Sequence, residues 1–203
     1  MPDNFILLDQ PRRPWLEPEA LKEKFFALSA SVHPDHAHGL SESERATAHE
    51  RYTALNAAYS CLRDPRSRLR HLLELELGAV SKDVQSIPSE LMDLSLKIGR
   101  ACREADSVVL EKNRATSPLL KVQLFERSQQ RSDELQPLQR MVNDKREALL
   151  SELKQLDAAW LAGAADPIER AALLQRLERI YRLLGYFDRW LSQIQERIVH
   201  LAF

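Results

Sequence analysis

The chain has 203 residues, 44% of them hydrophobic and 29% charged, with 29 Lys plus Arg against 30 Asp plus Glu. At about 100–200 residues per domain this is one large domain or two small ones, with enough apolar material for a core, which excludes wholesale disorder. A net charge of −1 argues against a non-specific binder of nucleic acid or anionic membrane, since such proteins carry a basic excess.

No run approaches the roughly 18 apolar residues of a membrane span. With 5 Gly and 6% aromatics, and with Leu, Ala, Glu, Gln, Lys and Arg dominant, the composition predicts an all-α fold. Met1-Pro2-Asp3-Asn4 lacks the basic start and apolar core of a signal peptide. Cys61 and Cys102 are too far apart for a C-x-x-C pair, so both are expected as buried, reduced thiols in a cytoplasmic protein.

Residues 5–9, Phe-Ile-Leu-Leu-Asp, form a short apolar opening, and Pro11 and Pro14 then break any regular element. A helix follows with Pro18 in its first turn. Leu21, Phe25, Leu28 and Val32, spaced four, three and four, mark its buried face. It must stop at His33, because Pro34 disfavours the α conformation in the residue before it. After a polar loop, Ser41 or Ser43 offers an N-cap, with Glu44 placed to complete a capping box with Ser41. The second long helix carries Ala48, Tyr52, Leu55, Tyr59 and Leu62 and ends before Asp64-Pro65. The two helices form an antiparallel hairpin with the Pro34 loop at its exposed tip. A shorter helix from Arg66 to about Leu77 closes at Gly78.

The division expected is 1–80, a linker over 81–87, and 88–203 as an elongated antiparallel helical bundle. Leu91, Leu94, Ile98, Cys102, Ala105 and Val109 mark its first helix, and Ser117-Pro118 starts the next. Leu135, Leu138, Val142, Leu149, Leu153, Leu156 and Trp160 mark a long segment in which Pro137 predicts a kink or break. Asp166-Pro167 then pairs an N-cap with a proline at the first helical position. The last helix keeps four-three alternation from Leu173 through Leu177, Ile180, Leu184, Phe187, Leu191, Ile194 and Ile198 to Leu201. Such a seam serves either the intrachain bundle or a dimer.

His33-Pro34-Asp35 carries the functional signal: an imidazole and a carboxylate at a hairpin tip, suited to docking on another protein. Leu55-Asn56-Ala57-Ala58-Tyr59, followed by Leu62, Asp64-Pro65 and Arg68, resembles the "IN-A-Y-x-x-L-x-D-P-x-x-R" run of the J-domain, the module of the DnaJ family. His71-Leu72-Leu73-Glu74-Leu75-Glu76-Leu77-Gly78 is similar to the "Y-L-L-x-L-x-G" of the HscB iron–sulfur co-chaperones, with His for Tyr and one residue added before Gly. Asn4-Phe5 to Leu8, the aromatic stretch Tyr186-Phe187-Asp188-Arg189-Trp190, and the order of a J-domain followed by a bundle are also HscB-like.

The resemblance implies a co-chaperone without a catalytic site or cofactor of its own. By it, His33, Pro34 and Asp35 dock on a DnaK/HscA-class chaperone and stimulate its ATPase, and Lys22 and Lys24 supply the basic charge of the preceding helix. The bundle would hold an iron–sulfur scaffold protein through Leu91, Met92, Asp93 and Tyr186. Two departures stand out. Lys97, Ile98, Gly99 and Arg100 occupy positions where HscB is acidic, and His36 replaces the Lys that often follows the tripeptide. The other readings of the residues are a J-domain protein with a different client, a helical scaffold in which the tripeptide is incidental, and a metal enzyme built on His33, His36, His38 and His49. No metal site is expected, since structural zinc wants four ligands, usually with Cys among them, and no Cys is near.

Overall fold

The computed structural model describes residues 2–30, 32, 41–78, 87–162 and 166–202, and among them it is all helical, without a strand. Asp3 opens α1 (Asn4–Leu7) by accepting from the N–H groups of Phe5 and Ile6. The helix closes with Asp9 at φ 49°, the Gln10 N–H on the Phe5 carbonyl and the Asp9 N–H on that of Ile6. This is a left-handed C-terminal closure, taken here by an aspartate, one of the few non-glycine residues that tolerate it. The apolar opening is therefore a helical turn, and it buries Phe5 and Leu8 completely.

Helix α2 (Pro18–Ala30) buries Leu21, Phe25 and Ser29. It is described as far as Ala30, Val32 lies in a turn, and Ser31 and His33–Leu40, with the stop expected at His33, lie outside the described residues. Helix α3 (Glu42–Arg63) begins with the expected capping box: the Ser41 hydroxyl accepts from the Glu44 N–H, and the Glu44 carboxylate accepts from the Ser41 N–H at 2.8 Å. Asp64 then caps α4 (Pro65–Leu77), accepting from the Ser67 N–H at 2.7 Å with Pro65 at the first helical position. Gly78 ends α4 at φ 76°, the left-handed conformation that glycine enters without steric cost.

A single 3-10 turn (Ser89–Leu91) leads into α5 (Met92–Arg114), followed by α6 (Pro118–Ala162) and α7 (Pro167–Ala202). Helix α6 does not break at Pro137. An interior proline removes one hydrogen bond and costs about 3 kcal/mol. Here its ring faces solvent while Leu135 and Val142 on either side are fully buried, so packing holds the helix through the defect. Asp166 caps α7 by accepting from the Ile168 N–H at 2.9 Å.

The described chain divides into two compact units. One joins α1–α4 with α6 from Leu150 onward and α7 as far as Tyr181. The other joins α5 with the earlier part of α6 and the later part of α7. The second has one apolar core of Leu91, Leu94, Ile98, Cys102 and Val108 from α5, Leu135 and Val142 from α6, and Phe187, Trp190, Ile194 and Leu201 from α7. The seam of α7 is thus consumed inside the chain, where Leu177, Ile180, Leu184 and Ile194 are buried. Cys102 is buried as expected, whereas Cys61 is only half-buried, because it lies on the flank of α3 beside the start of α4. Burial pushes both thiols up from their ordinary range.

Candidate functional site

The expected docking element is His33-Pro34-Asp35. These residues lie outside the described ones, so the site is defined by the two helices that flank them. Phe25 of α2 stacks on Tyr59 of α3 with ring centroids 4.3 Å apart and planes 10° from parallel, and Arg63 lies 5.8 Å over the outer face of Tyr59. Leu21, Leu55, Ala58 and Leu62 are buried with them. Lys22 is exposed and Lys24 half-buried on α2, and each is engaged: Lys22 with Glu19 at 3.4 Å, and Lys24 with Asp9 at 2.5 Å.

The motif residues downstream turn out to build the frame under this hairpin. Arg68 is buried, its Nε donating to the Pro14 carbonyl at 2.9 Å and a terminal nitrogen to the Leu62 carbonyl at 2.6 Å. One guanidinium thus satisfies a last-turn carbonyl of α3 and fixes the incoming N-terminal segment. Burial pushes its pKa down to about 10, which leaves it charged at neutral pH. Asn56 bonds back to the Tyr52 carbonyl at 2.8 Å.

His71 is 3% exposed, stacks on Phe5 at 5.6 Å, and its Nε2 accepts from the Asn4 N–H at 3.0 Å. An accepting Nε2 requires the neutral ring. Desolvation lowers its pKa accordingly, opposed by the Asp3 and Glu74 carboxylates and aided by Arg12.

A further set of contacts is not anticipated from the sequence, which marks Trp160 as an apolar seam position. Asp157 of α6 is 4% exposed and accepts from Arg13 Nε at 3.0 Å, from a second Arg13 nitrogen, and from the Trp15 N–H at 3.2 Å. Trp160 donates to the Arg12 carbonyl at 3.0 Å, and the Arg170 guanidinium lies 3.2 Å over its ring while pairing with Glu76 at 2.8 Å. Lys154 bridges to Glu17 at 2.9 Å and lies 5.3 Å over Trp15. These contacts fix residues 12–17, which lead into α2, against α6. The signal available was the Arg12-Arg13-Pro14-Trp15 run and a carboxylate four residues after Leu153 on an apolar face.

The expected client residues belong to the other unit. Leu91 is 5% exposed and part of its core, whereas Met92 is 43% exposed and Asp93 is exposed on the first turn of α5. Tyr186 is half-buried, packed on the same core with its ring 6.0 Å from Trp190. Trp190 itself is buried. Lys97 and Arg100 are exposed, and Arg100 pairs with Glu104 at 2.9 Å. Among the described residues no group of His, Cys, Asp and Glu is placed to hold a metal ion, and no helix is long and apolar enough to cross a membrane.

No family model matches the chain. In sequence it is similar to the co-chaperone HscB homolog of Bordetella pertussis, 37% identical over 91 residues, which cover 45% of this chain and 51% of that protein. The chain thus spans about half the length of the curated relatives it matches. Its fold is that of human co-chaperone HscB, with a TM-score of 0.63 at 19% identity over 98% of this chain and 81% of that one. Chaperone HscB from Vibrio cholerae gives 0.51 at 22% identity over 95% and 99%. The chain is HscB-like in sequence and in fold.

Proposed function

We propose that this chain is a co-chaperone that docks on a DnaK/HscA-class ATPase through His33-Pro34-Asp35, stimulates its ATP hydrolysis, and presents to it an iron–sulfur cluster scaffold protein. The carrying observation is the combination of HscB-like sequence and HscB fold with the frame in which α2, α3 and Arg68 hold the hairpin that bears the tripeptide. Residues 1–80 are the docking module, 81–87 the linker, and 88–203 contain the client-binding part, of which residues 150–181 pack into one unit with the docking module. The Asp35 carboxylate and the His33 imidazole engage charged partner groups, which steers encounter and sets register. Lys22 and Lys24 are the basic residues of the preceding helix, and their own ion pairs with Glu19 and Asp9 lie in solvent and are weak.

The client surface is the start of α5 with Tyr186. Met92 offers a flexible apolar side chain to a partner, the kind found at adaptable interfaces. Asp93 adds charge, and Leu91 supports the turn from inside the core. Calorimetric titration with the iron–sulfur scaffold protein of the same organism tests this. Saturable binding that weakens in Met92→Ala and Tyr186→Ala is expected, and absence of binding would remove the scaffold as client. A second reading, a co-chaperone for another client, draws on the exposed Lys97 and Arg100 where HscB is acidic. It predicts that residues of this face retain some other protein and not the scaffold.

A further inference from the structure

We propose that the docking face of α2 is anchored on its chaperone by the exposed ring of Phe26, in place of the basic charge that J-domains usually present there. The inference rests on the docking reading above and concerns what the partner meets beside the tripeptide.

Residues 25–30, Phe-Phe-Ala-Leu-Ser-Ala, contain no charged side chain. Glu19 and Glu23 balance Lys22 and Lys24, so α2 has no net charge. The two exposed pairs, Lys22 with Glu19 and Lys24 with Asp9, add only a small further reduction. The attraction this helix exerts on an acidic surface is therefore weak.

What it exposes instead is apolar. Lys22, Phe26 and Ala30 follow each other at four-residue spacing, so they share one stripe that ends three residues before His33. Phe26 is 57% exposed, in the middle of that stripe, with Ala27 and Ala30 exposed around it. Its ring rests against Phe25 at 5.6 Å and 46°, and Phe25 is fixed by Tyr59, so the aromatic projects from a rigid base. A large ring on a rigid element, with the small Ala27 and Ala30 on one side and the charged Lys22 and Glu23 on the other, has the form of an interface anchor, and such anchors hold most of the binding energy of small contacts.

The test is single-turnover ATP hydrolysis by the HscA-class chaperone of the same organism, titrated with the full chain. Phe26→Ala should raise the half-maximal concentration about tenfold, the loss typical of a truncated anchor, and Phe26→Leu should recover most of it. For the parent chain that concentration should change less than about threefold between about 0.05 and 0.3 M salt, whereas Phe26→Lys should make it steeply salt-dependent. Phe26 is exposed, so melting of the variants should match the parent. Should Phe26→Ala melt early, the Leu and Lys variants carry the comparison. An unchanged half-maximal concentration in Phe26→Ala, with stimulation abolished by His33→Gln, overturns the anchor and leaves the docking reading intact. Stimulation that survives His33→Gln overturns both.

Discussion

Replacing Asp157 with Ala should lower the stability of the unit containing α1–α4 by about 3 kcal/mol. The carboxylate is 4% exposed and receives two bonds from Arg13 and one from the Trp15 N–H. Breaking a buried pair from one side costs about 3–5 kcal/mol, because the remaining charge is left without compensation. The Arg13 side chain is 30% exposed and regains some water, which places the loss at the low end of that range. The Trp15 N–H, left without its acceptor, adds about 1 kcal/mol toward the same total. At about 2–4 °C per kcal/mol for a chain of this size, the melting temperature should fall by about 6–12 °C. Thermal unfolding by circular dichroism reads the shift, and a cycle with Arg13→Gln should give a coupling of about 1–2 kcal/mol. A melting temperature within about 1 °C of the parent, or no coupling in the cycle, would show that the clamp does not hold residues 12–17 on α6.

His71 gives a pH dependence with a fixed sign. Its pKa is lowered from 6.5 in the fold, so the unfolded chain takes up a proton first. Stability from this site is complete above about pH 6.5 and is lost as pH falls toward the depressed value. Melting temperature should therefore drop between about pH 7 and 5, and His71→Phe should flatten that slope; an equal slope in both would refute the assignment. Gly78→Ala should cost about 1 kcal/mol in chemical unfolding through its left-handed φ alone, since nothing lies within 4 Å of the added methyl. Leu91→Ala should destabilise by about 2–5 kcal/mol, while Met92→Ala should leave melting unchanged. Equal effects of the two would place Met92 in the core as well.

The helical signals that depend on local chemistry were legible in the sequence. The Ser41 capping box, the stop of the second long helix before Asp64-Pro65, the Gly78 stop and the α7 seam each follow from local residues, and each is present, while the next helix starts at Pro65 rather than Arg66. Features set by distant partners were not. Phe5 to Leu8 became a helical turn because Asp3 caps it and His71 receives the Asn4 N–H, 67 residues away in sequence. Pro137 reads as a breaker until the burial of Leu135 and Val142 is known. At the α6 seam Leu156 is only half-buried while its neighbour Asp157 is buried, because Arg13 and Trp15 are there to receive it. Period alone cannot distinguish an apolar seam position from a carboxylate with a waiting partner. For the proposed client residues, the resemblance names Leu91 and Met92 as a pair, and only the fold separates the core member from the exposed one.

His33-Pro34-Asp35 is proposed to couple this chain to a DnaK/HscA-class ATPase. Single-turnover ATP hydrolysis by that chaperone, with the parent chain and with His33→Gln at equal concentration, tests it most directly. Acceleration by the parent and the basal rate with His33→Gln are expected, both proteins melting at the same temperature. The same acceleration by both chains, or none by either, would contradict it.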